Sequence, residues 1–151
     1  MTDQFTILIA ERNPHVRNFL RRELAAEGYR VDLASNGREV LRMLDTNKAP
    51  DLLILDLEIP HLSGVEILKQ LQDREPSLPV VVHTFLTDYA DYPAVQKAAA
   101  FVEKTGNNID KLKAVILDVL AKAYPRRRCQ HKLKAVKSTV FDPANRRTVP
   151  S

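Results

Sequence analysis

Four side chains with chemically useful groups stand where short apolar runs end: Glu11, Asp56, Thr84 and Lys104. A carboxylate at the end of a central strand can ligate a metal, act as a nucleophile or sit in a buried ion pair. Taken singly, each has an ordinary structural explanation: a capping acid, a strand-end hydroxyl bonded to backbone, a solvated lysine. Together they suggest more. A carboxylate that accepts a phosphoryl group needs positive charge and hydrogen-bond donors for the transferred oxygens. A lysine and a threonine supply both. Other chemistries find little support. His15, His61, His83 and His131 are scattered without ligand spacing, and His83 reads as a buried or half-buried strand residue. The single cysteine, Cys129, excludes an internal disulfide and any multi-cysteine metal site. No glycine-rich phosphate loop and no Ser-His-Asp spacing stands out, which argues against an unrelated doubly wound enzyme.

The elements that must position these groups alternate regularly. Residues 5–10 are a short apolar run, followed by Asn13-Pro14 as a helix start and by Val16, Phe19, Leu20 and Leu24 at helical spacing up to Gly28. A strand is expected from Tyr29 to Ala34, then a helix opened by Ser35-Asn36-Gly37. Residues 51–56 form an apolar run ended by an acid, as expected of a strand covered on both faces in the middle of a parallel sheet. A loop over residues 58–64 leads into a helix with Val65, Leu68 and Leu71. Residues 78–84 read as a strand, Pro93 to Ala99 as a short helix and Phe101-Val102 as a brief strand. Asn107 or Asn108 is placed to cap a last helix with Leu112, Val115, Ile116, Val119 and Leu120. Five strand–helix alternations predict an α/β fold, an open parallel sheet with helices on both faces. Such folds place their sites beyond the carboxyl ends of the strands, where all four residues would lie.

Charge is distributed unevenly. From Pro125 onward there are eight basic side chains and one acid, Asp142, so the net charge of +4 belongs to the tail and the first 124 residues are net acidic. Residues 1–124 are expected to form one domain and 125–151 a basic tail that is mostly disordered. The tail is the part of the chain with the charge to bind nucleic acid or an acidic partner. No apolar stretch approaches the roughly 18 residues of a membrane helix. The N-terminus shows no basic segment before an apolar core, so a cytoplasmic location is expected.

The segment from Pro50 to Gly64, Pro-Asp-Leu-Leu-Ile-Leu-Asp-Leu-Glu-Ile-Pro-His-Leu-Ser-Gly, resembles the phosphoacceptor strand and following loop of the receiver domains of two-component response regulators. Gly28-Tyr29 and Ser35-Asn36-Gly37 match that family's usual connections, and the resemblance covers about residues 5–122. It implies a (βα)5, flavodoxin-like fold and a phosphoaspartate switch rather than a turnover enzyme. Carried over position by position, it makes Asp56 the phosphoacceptor, Thr84 the switch hydroxyl, Lys104 the partner of a phosphoryl oxygen and Phe101 the aromatic switch. Glu11, Asp56 and the backbone carbonyl of Glu58 would hold magnesium. The implied partners are a histidine kinase or phosphotransfer protein, a downstream protein and, as is common in the family, a second copy of the chain. These 151 residues are not expected to include the DNA-binding output domain that many family members carry, so output would come through partner docking or the chain is part of something larger.

Three positions depart from the family pattern. Arg12 stands where the second metal-binding acid is usual. At about 4 Å and an effective dielectric of about 20, a guanidinium opposes a cation by roughly 4 kcal/mol per unit charge. It is therefore expected to weaken magnesium binding and to be drawn toward Asp56 or Glu11. Phe85 follows Thr84 where a small residue is usual, and Thr105 replaces the proline after Lys104. Two readings follow. One is a phosphorylatable receiver. The other is a degenerate pseudo-receiver that docks proteins without phosphorylation.

Overall fold

The computed structural model describes residues 4–46, 48–85, 91–104 and 108–127. Five strands form one parallel sheet: β1 (Thr6–Ala10), β2 (Arg30–Ala34), β3 (Leu52–Leu55), β4 (Val80–Thr84) and β5 (Ala100–Glu103), in the order β2-β1-β3-β4-β5. Between and after them run α1 (Pro14–Ala26), α2 (Gly37–Leu44), α3 (Gly64–Leu71), α4 (Pro93–Gln96) and α5 (Ile109–Ala123). The alternation expected from the sequence is thus present.

Period-two alternation divides the strands between two apolar layers. Leu8, Leu53, Leu55, Val80 and Val82 face α2, α3 and α4 with Val40, Leu44, Ile67 and Leu68. Ile7, Ile9, Leu52, Ile54, Val81 and Val102 face α1 and α5 with Leu20, Leu24, Leu112 and Ile116. All four residues of β3 are buried, which explains its unbroken apolar run.

Local chemistry sets the helix ends near the site. The Asn13 side chain accepts from the backbone N–H groups of His15 and Val16, at 2.8 and 3.2 Å, with Pro14 in the first turn. This satisfies donors that the start of a helix leaves unpaired. After α1 the chain reverses through Gly28 at φ 100°, a conformation that costs glycine little. Asn36 caps α2 through Glu39 N–H, while the Glu39 carboxylate accepts from Ser35 N–H at 2.7 Å. Those bonds to Ser35 hold the Glu39 carboxyl below its ordinary range. Ser63 caps α3 through Glu66 N–H. Gly64 is fixed by close approach, since a Cβ there would lie 2.6 Å from Leu57 Cα.

Two expectations about helix ends change. The helix expected from Pro93 to Ala99 ends at Gln96, because Ala99 N–H already bonds Val80 carbonyl at 2.9 Å and lies along β4. At the start of α5, Asn108 occupies the cap position but its amide donates to the Glu103 carbonyl instead. Asn107 and Thr105 lie outside the described residues.

The boundary expected at residue 124 falls inside a cluster at the amino end of the sheet. Tyr124 Oη donates to the Asp51 carbonyl at 2.7 Å. The Arg127 guanidinium reaches both Asp51 carboxylate oxygens, at 2.8 and 3.3 Å, and donates to the Gln4 carbonyl at 3.1 Å. It also lies over the Phe5 ring, 4.2 Å from its centroid. The folded body therefore extends at least to Arg127, and the expected disorder of the rest of the tail lies outside the described residues. No helix among the described residues is long and apolar enough to cross a membrane.

Candidate functional site

Parallel pairing brings the sequence candidates together. Ile9 and Ala10 pair with Ile54 and Leu55, so the next residues, Glu11 and Asp56, leave adjacent strands side by side. Asp56 N–H bonds the Ala10 carbonyl at 2.9 Å and Glu11 N–H the Ala34 carbonyl at 3.1 Å. Across β4 and β5, Lys104 N–H bonds the Thr84 carbonyl at 2.9 Å. These bonds continue the ladder past the strand ends and fix the backbones of the site.

The side chains converge in a nearly closed position. Asp56 is 1% exposed, Glu11 2% and Lys104 8%, and Thr84 is fully buried. Lys104 Nζ sits 2.6 Å from Glu11 Oε1 and 3.3 Å from Asp56 Oδ2. The second Glu11 oxygen accepts from Asn13 N–H at 3.1 Å. Asp56 Oδ1 accepts from Glu58 N–H at 3.0 Å. Asp56 Oδ2, although ion-paired with Lys104, has no aligned hydrogen bond among the described residues. It is the oxygen left free to form a new bond. Burial raises the Glu11 carboxyl above its ordinary 4.5, with the Lys104 ammonium pulling the other way.

Thr84 and Phe101 belong to the α2–α3–α4 face of the sheet. Phe101 pairs with Val82 in β5 and packs, half-buried, against that apolar layer. His83 points to the opposite layer. Burial, with a smaller contribution from the Lys104 charge, pushes its imidazole down to about 4, so it is neutral at physiological pH.

Arg12 takes a different position from the one expected. Its guanidinium pairs with Glu58 Oε1 at 3.0 Å, with the Arg12 side chain 53% exposed; its ion-pair partner is neither Asp56 nor Glu11. The reason is competition. Lys104 already pairs with both buried acids, whereas the half-exposed Glu58 offers a partner with less to desolvate. Sequence reasoning considered only the carbonyl of Glu58. The adjacency of β1 and β3 was the signal that could have placed the two side chains together at the rim. Arg17 was also missed. It donates to the Glu11 carbonyl at 2.7 Å and to the Arg12 carbonyl at 3.4 Å, tying the β1–α1 loop to α1. Phe85 is largely exposed, its ring 5.4 Å from Lys104 Nζ.

The groups expected to hold magnesium fit it poorly. Both Glu11 oxygens are engaged, a guanidinium occupies the position of the second acid, and no group of three His, Cys, Asp or Glu residues able to hold a metal ion occurs among the described residues. Asp56 Oδ2 and the Glu58 carbonyl remain as oxygen donors, short of the near-octahedral set magnesium prefers.

Comparison with known proteins agrees with this architecture. The response regulator receiver domain family model matches residues 7–132. Response regulator MprA of Mycolicibacterium vanbaalenii is 40% identical over 78 residues, 52% of this chain and 33% of the relative. The chain thus spans about a third of the length of the curated relatives it matches. Among solved structures, the response regulator TrrA of Thermotoga maritima in complex with Mg(2+)-BeF is 30% identical with a TM-score of 0.71, covering 77% of this chain and 99% of that one. TrrA in complex with the histidine kinase ThkA matches at 31% identity and a TM-score of 0.70, covering 78% and 99%. With its parallel sheet, its buried acid–lysine cluster and a family match across most of its length, the chain belongs to the receiver domains of two-component response regulators.

Proposed function

We propose that the chain is a phosphorylatable switch in which Asp56 accepts a phosphoryl group from the phosphohistidine of a histidine kinase or phosphotransfer protein. The observation that carries this is the state of Asp56: buried, ionically paired with Lys104, and with Oδ2 lacking any aligned hydrogen bond. In the transfer, Oδ2 forms a bond to phosphorus as the phosphorus–nitrogen bond of the donor breaks. The donor imidazole leaves with the bonding pair and takes a proton. Lys104 offsets the charge spread over the phosphoryl oxygens. Glu58 N–H continues to hold Oδ1, which keeps the carboxylate oriented.

Thr84 and Phe101 are the switch in this reading. Both belong to the α2–α3–α4 face. A hydroxyl drawn toward the phosphoryl group vacates space that the ring takes up, and the β4–β5 edge is where a downstream protein or a second copy would sense the change. Magnesium binds weakly, and Arg12 takes over part of its work by exchanging Glu58 for a phosphoryl oxygen. The role is that of a cytoplasmic signalling module, not a turnover enzyme.

The Arg12–Glu58 pair at the rim also favours a second reading, a pseudo-receiver that docks partners without phosphorylation. Incubation with acetyl phosphate, followed by intact-mass measurement, separates the two. Native protein should gain one phosphoryl group and Asp56→Asn none. Equal labelling of both would remove Asp56 as the acceptor, and absence of labelling in both would support the pseudo-receiver.

A further inference from the structure

A cavity of about 160 Å³ lies between the start of α1 and the start of α5, on the face of the sheet opposite Thr84. Val16 and Leu20 form one apolar wall, and Ile109 and Leu112 the other. His83 lines it from β4. Its rim carries Phe19 and Phe85, two of the three large hydrophobic side chains exposed among the described residues. Solvent-exposed rings gathered at one opening mark a surface that gains by being covered.

The histidine sets this cavity apart from a packing defect. His83 is 7% exposed, and its Nδ1 is enclosed with no hydrogen-bond partner among the described residues. A buried polar atom without a partner costs on the order of 1–3 kcal/mol, and an apolar residue at this strand position would avoid that cost. The neighbouring residues argue for a neutral occupant. Lys104 is already bound between Glu11 and Asp56, so it offers no unpaired charge to an anion. Among the described residues, the remaining walls offer no acid to a cation. Size is also restrictive, since apolar cavities of about 150 Å³ take up benzene.

We infer that this cavity is a binding site for a small neutral aromatic molecule carrying one hydroxyl or N–H group, which bonds the edge of the His83 imidazole that is open to the cavity, not the enclosed Nδ1, while its ring packs between α1 and α5. Phenol is the simplest member of that class. Its ring fills the apolar space, and its hydroxyl can either donate to the imidazole or accept from it, whichever ring nitrogen carries the proton. Phe19 and Phe85 would close over it edge to face. The inference rests on the cavity and not on the role of Asp56, so it stands or falls separately from phosphorylation.

The test is a titration of the full chain with phenol and with toluene, of similar volume but without the polar group, followed by calorimetry and by the chemical shifts of the aromatic side chains. Phenol is expected to bind saturably with a Kd on the order of 1–10 mM, typical of a fragment of this size. Toluene should bind at least about fivefold more weakly, because it leaves the imidazole unpaired. His83→Leu should reverse that preference. Val16→Phe, at a half-buried position where a larger side chain can be accommodated, should abolish binding of both. Equal affinity for phenol and toluene in native protein, no saturation before the solubility limit, or phenol binding that survives Val16→Phe would each overturn the inference.

Discussion

Replacing Lys104 with methionine keeps the length of the side chain and removes its charge from between two carboxylates. At an effective dielectric of about 20, the 2.6 Å and 3.3 Å separations correspond to gross attractions of roughly 6 and 5 kcal/mol. Most of that is offset by the desolvation of three ions that are nearly fully buried. The relevant quantity is what remains once one partner is removed, a loss of about 3–5 kcal/mol for a buried pair broken on one side. The loss should depend on pH in a definite direction. Without Lys104, Glu11 keeps the burial that raises its carboxyl and loses the ammonium that pulls it the other way, so its folded-state pKa lies further above the unfolded one. Stability linked to a raised acid is present below the unfolded pKa and is lost as pH rises through the folded pKa. The variant should therefore lie nearest to native stability around pH 4.5 and fall furthest behind at pH 7.5. Asp56→Asn in the same chain removes one of the two charges and should recover about half of the deficit. Urea unfolding followed by circular dichroism, on native protein, Lys104→Met and the double variant at both pH values, measures all of these terms. A deficit below 1 kcal/mol at pH 7.5, or one that is no larger there than at pH 4.5, would refute the description of Lys104 as the charge that makes the buried acids tolerable.

Three further outcomes are expected. Truncation after Tyr124 removes Arg127 from Asp51 and Phe5 and should cost about 1–2 kcal/mol, seen as a melting temperature lower by roughly 3–8 °C, whereas truncation after Arg127 should leave it nearly unchanged. Because the His83 imidazole stands at about 4 against 6.5 when free, its contribution is complete above pH 6.5 and is lost as pH falls toward 4, by roughly 3 kcal/mol in all; in urea titrations His83→Leu should lose correspondingly less stability over that window than native protein. Arg12→Asp should bind magnesium at least tenfold more tightly than native protein in a calorimetric or tyrosine-fluorescence titration, and equal affinities would show that the rim guanidinium does not oppose the metal.

The parts of this protein that were legible in the sequence are those written into residue periodicity and strand order. Continuous apolar runs at β3 and β4, helical spacing in α1 and α5, and caps at Asn13 and Asn36 each carry a local signal, and parallel order alone then brings Glu11, Asp56, Thr84 and Lys104 to one edge. Side-chain partnership was less legible, because it depends on which charges are satisfied first. Arg12 was expected at Asp56 or Glu11 on Coulomb attraction alone. The structure gives those acids to Lys104 and leaves Arg12 to Glu58 at the rim. At the other end of the sheet, Arg127 is in sequence one of many tail cations, yet Asp51, Phe5 and Tyr124 surround it in the fold. In both cases a permanent cation is held by an acid that no local pattern pairs with it. The consequence for the site is physical. A guanidinium paired at the rim with a half-exposed acid is held less firmly than an ammonium buried between two acids. On that ground the exchange of partners proposed for a phosphorylated Asp56 falls to Arg12 and not to Lys104.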